Sequence, residues 1–242
     1  MRNKATIIAK GARLLTKPLW RRGLLSGVAA TVEHLPIISR LTPDTIIDIG
    51  ANKGQFSLFA TQVWPAARIY AFEPLPGPAA KYRKILSGMP HVQLFEVAVA
   101  PTKGIEYINM LEREDSSSLL RPHPNILQVF PEARDAGHSL RIRTGPLINF
   151  LSADDLNGSV LIKLDVQGYE LPCLQACDPL LALAEHLYIE CSYVELYHGQ
   201  ALIEDVIKFL DSQSFELLKE FNTIISPTFG KIQSDCLFRR RP

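Results

Sequence analysis

The 242-residue chain is 47% hydrophobic and 21% charged, which supports a sizeable packed core and excludes disorder, collagen and coiled coil as whole-chain descriptions. Its 26 Lys and Arg against 25 Asp and Glu give a formal charge of +1, so no global field draws in a polyanion. Cysteines at only 173, 177, 191 and 236, with Lys10, Lys17, Arg21 and Arg22 interrupting the early apolar stretches, point to a cytoplasmic protein with no signal-peptide core or membrane span.

Charge is unevenly spread. Residues 1–40 carry eight bases and the single acid Glu33, and Arg239, Arg240 and Arg241 nearly end the chain. The remainder holds 15 bases against 24 acids. In chain order, the leucine and valine spacing between Leu14 and Leu35 predicts two short helices broken by Pro18 and Gly23. They read as a basic N-terminal extension over residues 1–40, a flank or lid on a main domain over 41–242. Thr45 to Ile49 predicts a first strand, Lys53 to Trp64 a helix, Arg68 to Phe72 a second strand, Ala79 to Leu86 a helix and Val92 to Val99 a third strand.

Between Gly104 and Phe150 the pattern gives way to charged, Ser-rich and Pro-rich sequence, read as an excursion that shapes a binding site. The serines at 116 to 118 read as loop or substrate contacts, since no GxSxG accompanies them. Ser159 to Leu164, Tyr169 to Ala176, His186 to Cys191 and Ala201 to Leu210 resume the strand and helix alternation. Phe215 to Phe221 and Ile232 to Arg239 predict two strands joined too briefly for a parallel crossover. The expected architecture is α/β: a seven-stranded, mostly parallel, Rossmann-like sheet with its last strand antiparallel and helices on both faces.

The segment Asp48-Ile49-Gly50-Ala51-Asn52-Lys53-Gly54 joins the first strand to its helix, where glycines and unpaired helix N–H groups suit a close ligand. Glu73 follows at the tip of the second strand, where an acid accepts the hydroxyls of a ribose. The dinucleotide pattern G-x-G-x-x-G is missing, as is the phosphate loop with Lys after its last glycine. A pyrophosphate beside Asp48 would also meet like charge. A cationic sulfonium cofactor, S-adenosylmethionine, fits better, with Asp48, Gly50, Asn52, Gly54, Glu73 and Ala98 as its candidate contacts.

Lys163 and Asp165 share one face of an otherwise apolar strand, and two charges there require pairing or function. Asp165 reads either as a cap for the following helix or as a reaction-zone residue beside Glu170 and Glu190. Transfer of a methyl group to a hydroxyl needs a proton acceptor. Asp165, Glu190 and His198 are the local candidates, while His34 reads as a surface histidine unless the N-terminal helices fold over the site. Cys173 and Cys177 predict a shared buried helix face, and no spacing demands a metal.

The motifs Ile47-Asp48-Ile49-Gly50-Ala51-Asn52-Lys53-Gly54-Gln55-Phe56, Phe72-Glu73-Pro74 and Ile162-Lys163-Leu164-Asp165-Val166-Gln167-Gly168-Tyr169-Glu170 resemble those of the FkbM family of S-adenosylmethionine-dependent methyltransferases. Smaller echoes extend the resemblance over roughly residues 24–239. It implies a class I methyltransferase fold and transfer to a hydroxyl of a sugar, glycan, lipid or polyketide-like metabolite. Gly50, Asn52 and Gly54 match the family's cofactor loop, Glu73 its ribose acid and Asp165 its second signature strand. Taken with the strand-end and strand-face positions above, Asp165, Glu190 and Lys163 are the candidate catalytic set. Gln167 departs from the glutamate common in the family. An N-methyltransferase and a noncatalytic binding protein of the same fold are the alternatives. No specific nucleic-acid partner is expected; weak peripheral membrane contact through the basic N-terminus is left open.

Overall fold

The computed structural model describes residues 14–242. Its main sheet uses seven strands: β1 (Thr45–Ile49), β2 (Arg68–Phe72), β3 (Val92–Phe95), β7 (Val160–Leu164), β8 (His186–Ser192), β9 (Phe215–Ser226) and β10 (Gly230–Arg240). Their spatial order is β3-β2-β1-β7-β8-β10-β9. β10 runs antiparallel to both neighbours, while the remaining pairings are parallel. This is the expected seven-stranded class I architecture.

β1, β2 and β7 are largely apolar runs broken by Thr45, Asp48, Lys163 and the exposed Arg68, because both faces of a parallel sheet are covered. One face carries Ile47, Ile49, Phe72, Ile162 and Leu164 against α6 (Glu170–Ala176) and α7 (Ile203–Ser212). The other buries Ile46, Ile69, Ala71 and Leu161 with residues of α1 (Pro18–Leu25), α3 (Gln55–Val63) and α4 (Pro76–Leu86). A short α2 (Leu35–Ile38) follows α1 and covers β1 from the same side.

Two expectations change. Gly23 does not break the first helix but lies inside α1, because a Cβ there would stand 2.4 Å from Leu58 Cδ2 and 2.8 Å from the Val28 carbonyl. The helix therefore sits flush on α3, and Trp20 Nε1 donates to the Leu58 carbonyl at 2.9 Å. Val92 to Val99 is not one strand: β3 stops at Phe95, and β4 (Ala98–Val99) pairs with β6 (Asp135–Gly145) in a separate three-stranded sheet, ordered β4-β6-β5 with β5 (Gly104–Leu111). Glu96, at the break, is drawn outward into an ion pair with Arg83.

The second sheet occupies the stretch read as an irregular excursion, with the short α5 (Asn125–Val129) between β5 and β6. β5 exposes all of its first four residues, Ile105 and Tyr107 among them, so its apolar residues do not mark out a single buried face as those of a half-buried strand do. It stands beside the carboxyl ends of β1 and β2 and gives the crevice there one wall. Among the described residues, no helix is long and apolar enough to cross a membrane.

Candidate active site

Strand order reverses at β1, which has β2 on one side and β7 on the other. Ligands collect at such a switch point, outside the carboxyl ends of the strands. In register, Ile49 pairs with both Phe72 and Leu164, so Gly50, Glu73 and Asp165 leave the sheet side by side. A cavity of about 230 Å³ opens there, lined by Gly50, Asn52, Glu73 and Ala98 on one side and by Asp165, Gln167 and Glu190 on the other. Arg113 to Asp115, Ser117, Ser118 and Leu119 close it from the segment after β5.

Glu73 is 5% exposed. Its Oε2 accepts the Asn52 N–H and its Oε1 the Leu75 N–H, each at 2.8 Å. Burial nevertheless pushes its carboxyl up to about 7, the two N–H bonds and Lys163 pulling the other way. A buried carboxylate keeps acceptor capacity beyond two such bonds, which suits it to a diol. Asn52 reaches it from a left-handed backbone, φ 49°, and its own Oδ1 is buried without a partner.

The two loop glycines are also required by packing within the protein. Gly50 has φ +76°, and a Cβ on it would meet the Asp165 carbonyl oxygen at 1.8 Å. Gly54, at φ +90°, packs on the Tyr82 ring and does not line the cavity. Asp48 is likewise sealed beneath the loop. It accepts the Ser57 hydroxyl at 2.7 Å and pairs with Lys163 at 3.4 Å, so it braces the turn from below.

Lys163 faces a second, smaller cavity of about 90 Å³ that shares Gly50, Asn52, Gln55 and Asp165 with the first and adds Thr31 and His34. Its Nζ donates to the Gly50 carbonyl at 3.2 Å and stands 3.8 Å from Asp165. Thr31 Oγ1 and Gln55 Oε1 line this space and are buried without a hydrogen-bond partner. A paired ammonium and carboxylate beside unsatisfied polar oxygens form the complement of a zwitterionic group.

His34 is thus no surface residue. Its Nδ1 is 2.9 Å from the Tyr188 hydroxyl, which donates to Asp235 at 3.0 Å, and burial lowers its pKa despite Asp235. His198 fails as a base candidate on position: its ring packs edge-on against His123 and lines neither cavity. Asp165 does not cap α6 either. No side chain caps it; Glu170 instead ties down the turn ahead of the helix, its Oε1 accepting the Val166 and Gly168 N–H groups.

Gln167, in a left-handed conformation at φ 54°, ties the reaction side together. Its Nε2 donates to Asp165 Oδ1 at 2.7 Å and stands 3.4 Å from Glu190 Oε2, while its Oε1 accepts the Tyr197 hydroxyl. Gln233 adds a 2.8 Å bond to the same Glu190 oxygen. Burial and the neighbouring Asp165 hold the Glu190 carboxyl well above the usual carboxylate range. Two of the serines also brace the wall: Ser117 accepts the Leu111 N–H, and Ser118 donates to the Gln167 carbonyl, pinning the wall segment to this turn. Cys173 and Cys177 are buried and unpaired, on the face expected. Sequence reasoning gave no role to Gln55, although it lies inside the first motif, and passed over Thr31 and Arg113, which belong to no motif and whose positions depend on long-range packing.

The model of the FkbM methyltransferase domain matches residues 48–217. A 2-O-methyltransferase, NoeI, of Sinorhizobium fredii is 30% identical over 207 residues, covering 82% of this chain and 84% of the relative. Methyltransferase 1 of Beauveria bassiana is 25% identical over 198 residues, covering 72% and 73%. Among solved structures, magnesium protoporphyrin IX methyltransferase of Synechocystis, crystallised with S-adenosylmethionine, aligns over 98% of this chain and 92% of its own at 14% identity and a TM-score of 0.47. Matched by the family model over most of its length, the chain belongs to the FkbM family of S-adenosylmethionine-dependent methyltransferases.

Proposed function

We propose that the enzyme methylates a hydroxyl group of a sugar, glycan, lipid or polyketide-like metabolite, with Glu190 as the proton acceptor. The observation that carries this reading is the Glu190–Gln167–Asp165 arrangement on the side of the cavity away from Glu73. The two glutamine amides that reach Glu190 both fall on Oε2, and among the described residues no hydrogen bond falls on Oε1. A carboxylate whose proton affinity is raised by burial is a better base for a hydroxyl than a solvated one. The S. fredii relative is itself named for transfer to oxygen.

Glu73 would hold the ribose of the cofactor, with Ala98 and Val97 beside the adenine. Lys163, Asp165, Thr31 and Gln55 would hold its amino-acid end in the smaller cavity, with Asp48 and Gly54 supporting the loop between. Bound there, the cofactor would supply a methyl group on a positively charged sulfur, which becomes a neutral thioether leaving group when the sulfur–methyl bond breaks. Asp165 orients the acceptor hydroxyl, and Glu190 takes up its proton at Oε1 as the oxygen gains the methyl group. Lys163 holds Asp165 and the Gly50 carbonyl in place for both tasks. The acidic lining favours a neutral acceptor over an anionic one.

The test is methyl transfer from labelled S-adenosylmethionine to a panel of glycosides, lipids and hydroxylated metabolites, with the new methyl located by its carbon shift. Glu190→Gln is expected to lower kcat by about 10²- to 10⁴-fold, the usual contribution of a positioned base, while calorimetry finds cofactor affinity within about twofold of wild type. A methyl group on nitrogen, or an undiminished kcat in the variant, would overturn the assignment.

A further inference from the structure

We infer that the face formed by α1 and the adjoining end of α4 docks on an anionic lipid surface. The first 32 residues of the chain contain seven bases and no acid. Three of those bases, Lys17, Arg21 and Arg22, lie exposed on or next to α1, and none of them joins an ion pair among the described residues. Arg22 reaches the Lys84 carbonyl at 3.4 Å, which brings the exposed Lys84 of α4 into the same basic surface.

Apolar side chains stand among these cations. Leu25 is 91% exposed, Leu15 57% and Leu24 40%. They are not waiting to settle onto the domain, because α1 is already seated: Trp20 is 4% exposed with its indole N–H bonded to Leu58, and Gly23 leaves no gap above that leucine. A basic surface without an ion pair at Lys17, Arg21 or Arg22 among the described residues, and with protruding leucines, is complementary to anionic headgroups over an acyl layer, where each cation adds attraction and each leucine adds burial. A nucleic-acid backbone would satisfy the cations alone and leave the leucines in water. The rest of the molecule is net acidic, so the attraction also orients the chain with this face down.

Cosedimentation of the full chain with vesicles tests the assignment, using pure phosphatidylcholine against phosphatidylcholine with one quarter phosphatidylglycerol at 0.1 M salt. Partitioning is expected to be at least about tenfold stronger on the anionic vesicles and to fall with added salt. The Arg21→Glu/Arg22→Glu double variant should lose about tenfold or more at unchanged melting temperature and cofactor affinity, since neither side chain touches the cavity. Leu25→Ser should lose severalfold. Equal partitioning on neutral and anionic vesicles, or no loss in the double variant, overturns the proposal. So does a concentration-dependent dimer in light scattering that Leu25→Ser dissolves, or RNA oligonucleotide binding that the leucine variant leaves untouched while vesicle binding is lacking.

Discussion

Glu73 combines two opposed influences in one carboxyl group. Burial favours its neutral form and holds its pKa near 7, while backbone N–H groups from Asn52 and Leu75 favour the anion. Hydroxyls donated by a ribose would add to the second influence, so cofactor binding should favour the ionised group. Affinity for S-adenosylmethionine is therefore expected to rise with pH up to about 7 and level off above it, with a proton released on binding below that point. Calorimetry in buffers of different ionisation enthalpy reads that proton directly. Glu73→Gln should abolish the pH dependence and weaken binding by about 10- to 100-fold, the worth of hydrogen bonds to a charged group. Gly50 makes a different kind of prediction. Alanine there combines a left-handed backbone with a Cβ 1.8 Å from the Asp165 carbonyl, and strain of that kind costs on the order of 1–3 kcal/mol even before β1 and β7 are forced apart. Gly50→Ala should lower the melting temperature by roughly 5–10 °C whether or not cofactor is added.

The elements divide by where their neighbours come from. β1, β2 and β7 were legible because each is a compact apolar run closed by a glycine or an acid, a pattern set by burial on both faces. Glu73 and Asp165 were legible for the same reason, as polar residues at the tips of such runs. What was not legible depends on contacts remote in sequence. Ala98 and Val99 look continuous with β3, yet they pair with Thr144 and Gly145, and only the partner some 45 residues away decides this. His34 reached the site through Tyr188 and Asp235, on β8 and β10, a link no local pattern announces. Gly23 misled because its usual role as a helix breaker is outweighed here by the close approach of α1 to α3. That approach is testable. Trp20→Ala removes a buried indole together with its bond to Leu58, a change that costs about 3–5 kcal/mol in well-packed sites, and should lower the melting temperature by roughly 10 °C.

At the scale of the whole molecule, the carboxyl ends of β1, β2, β7 and β8 gather acids about a single buried ammonium. Glu73, Glu170 and Glu190 are all pushed upward, by burial foremost, while Lys163 stays charged against its own burial because Asp48 and Asp165 flank it. The fold thus stores electrostatic cost where the chemistry is done. Its size can be read from Glu170, which touches neither cavity and so isolates stability from catalysis. Its pKa rises from 4.5 to about 7 on folding. A carboxyl raised in the folded state contributes most stability below its unfolded pKa, and that contribution is lost as pH climbs to the folded value. The window is therefore pH 4.5 to 7, and the shift corresponds to about 3 kcal/mol. Glu170→Gln keeps an oxygen for the Val166 and Gly168 N–H groups but carries no charge to desolvate. Relative to wild type, its denaturant midpoint should gain progressively between pH 5 and 7 and hold that gain above. Parallel stability curves for the two proteins would mean that Glu170 stays ionised throughout, held by those two N–H groups against its burial.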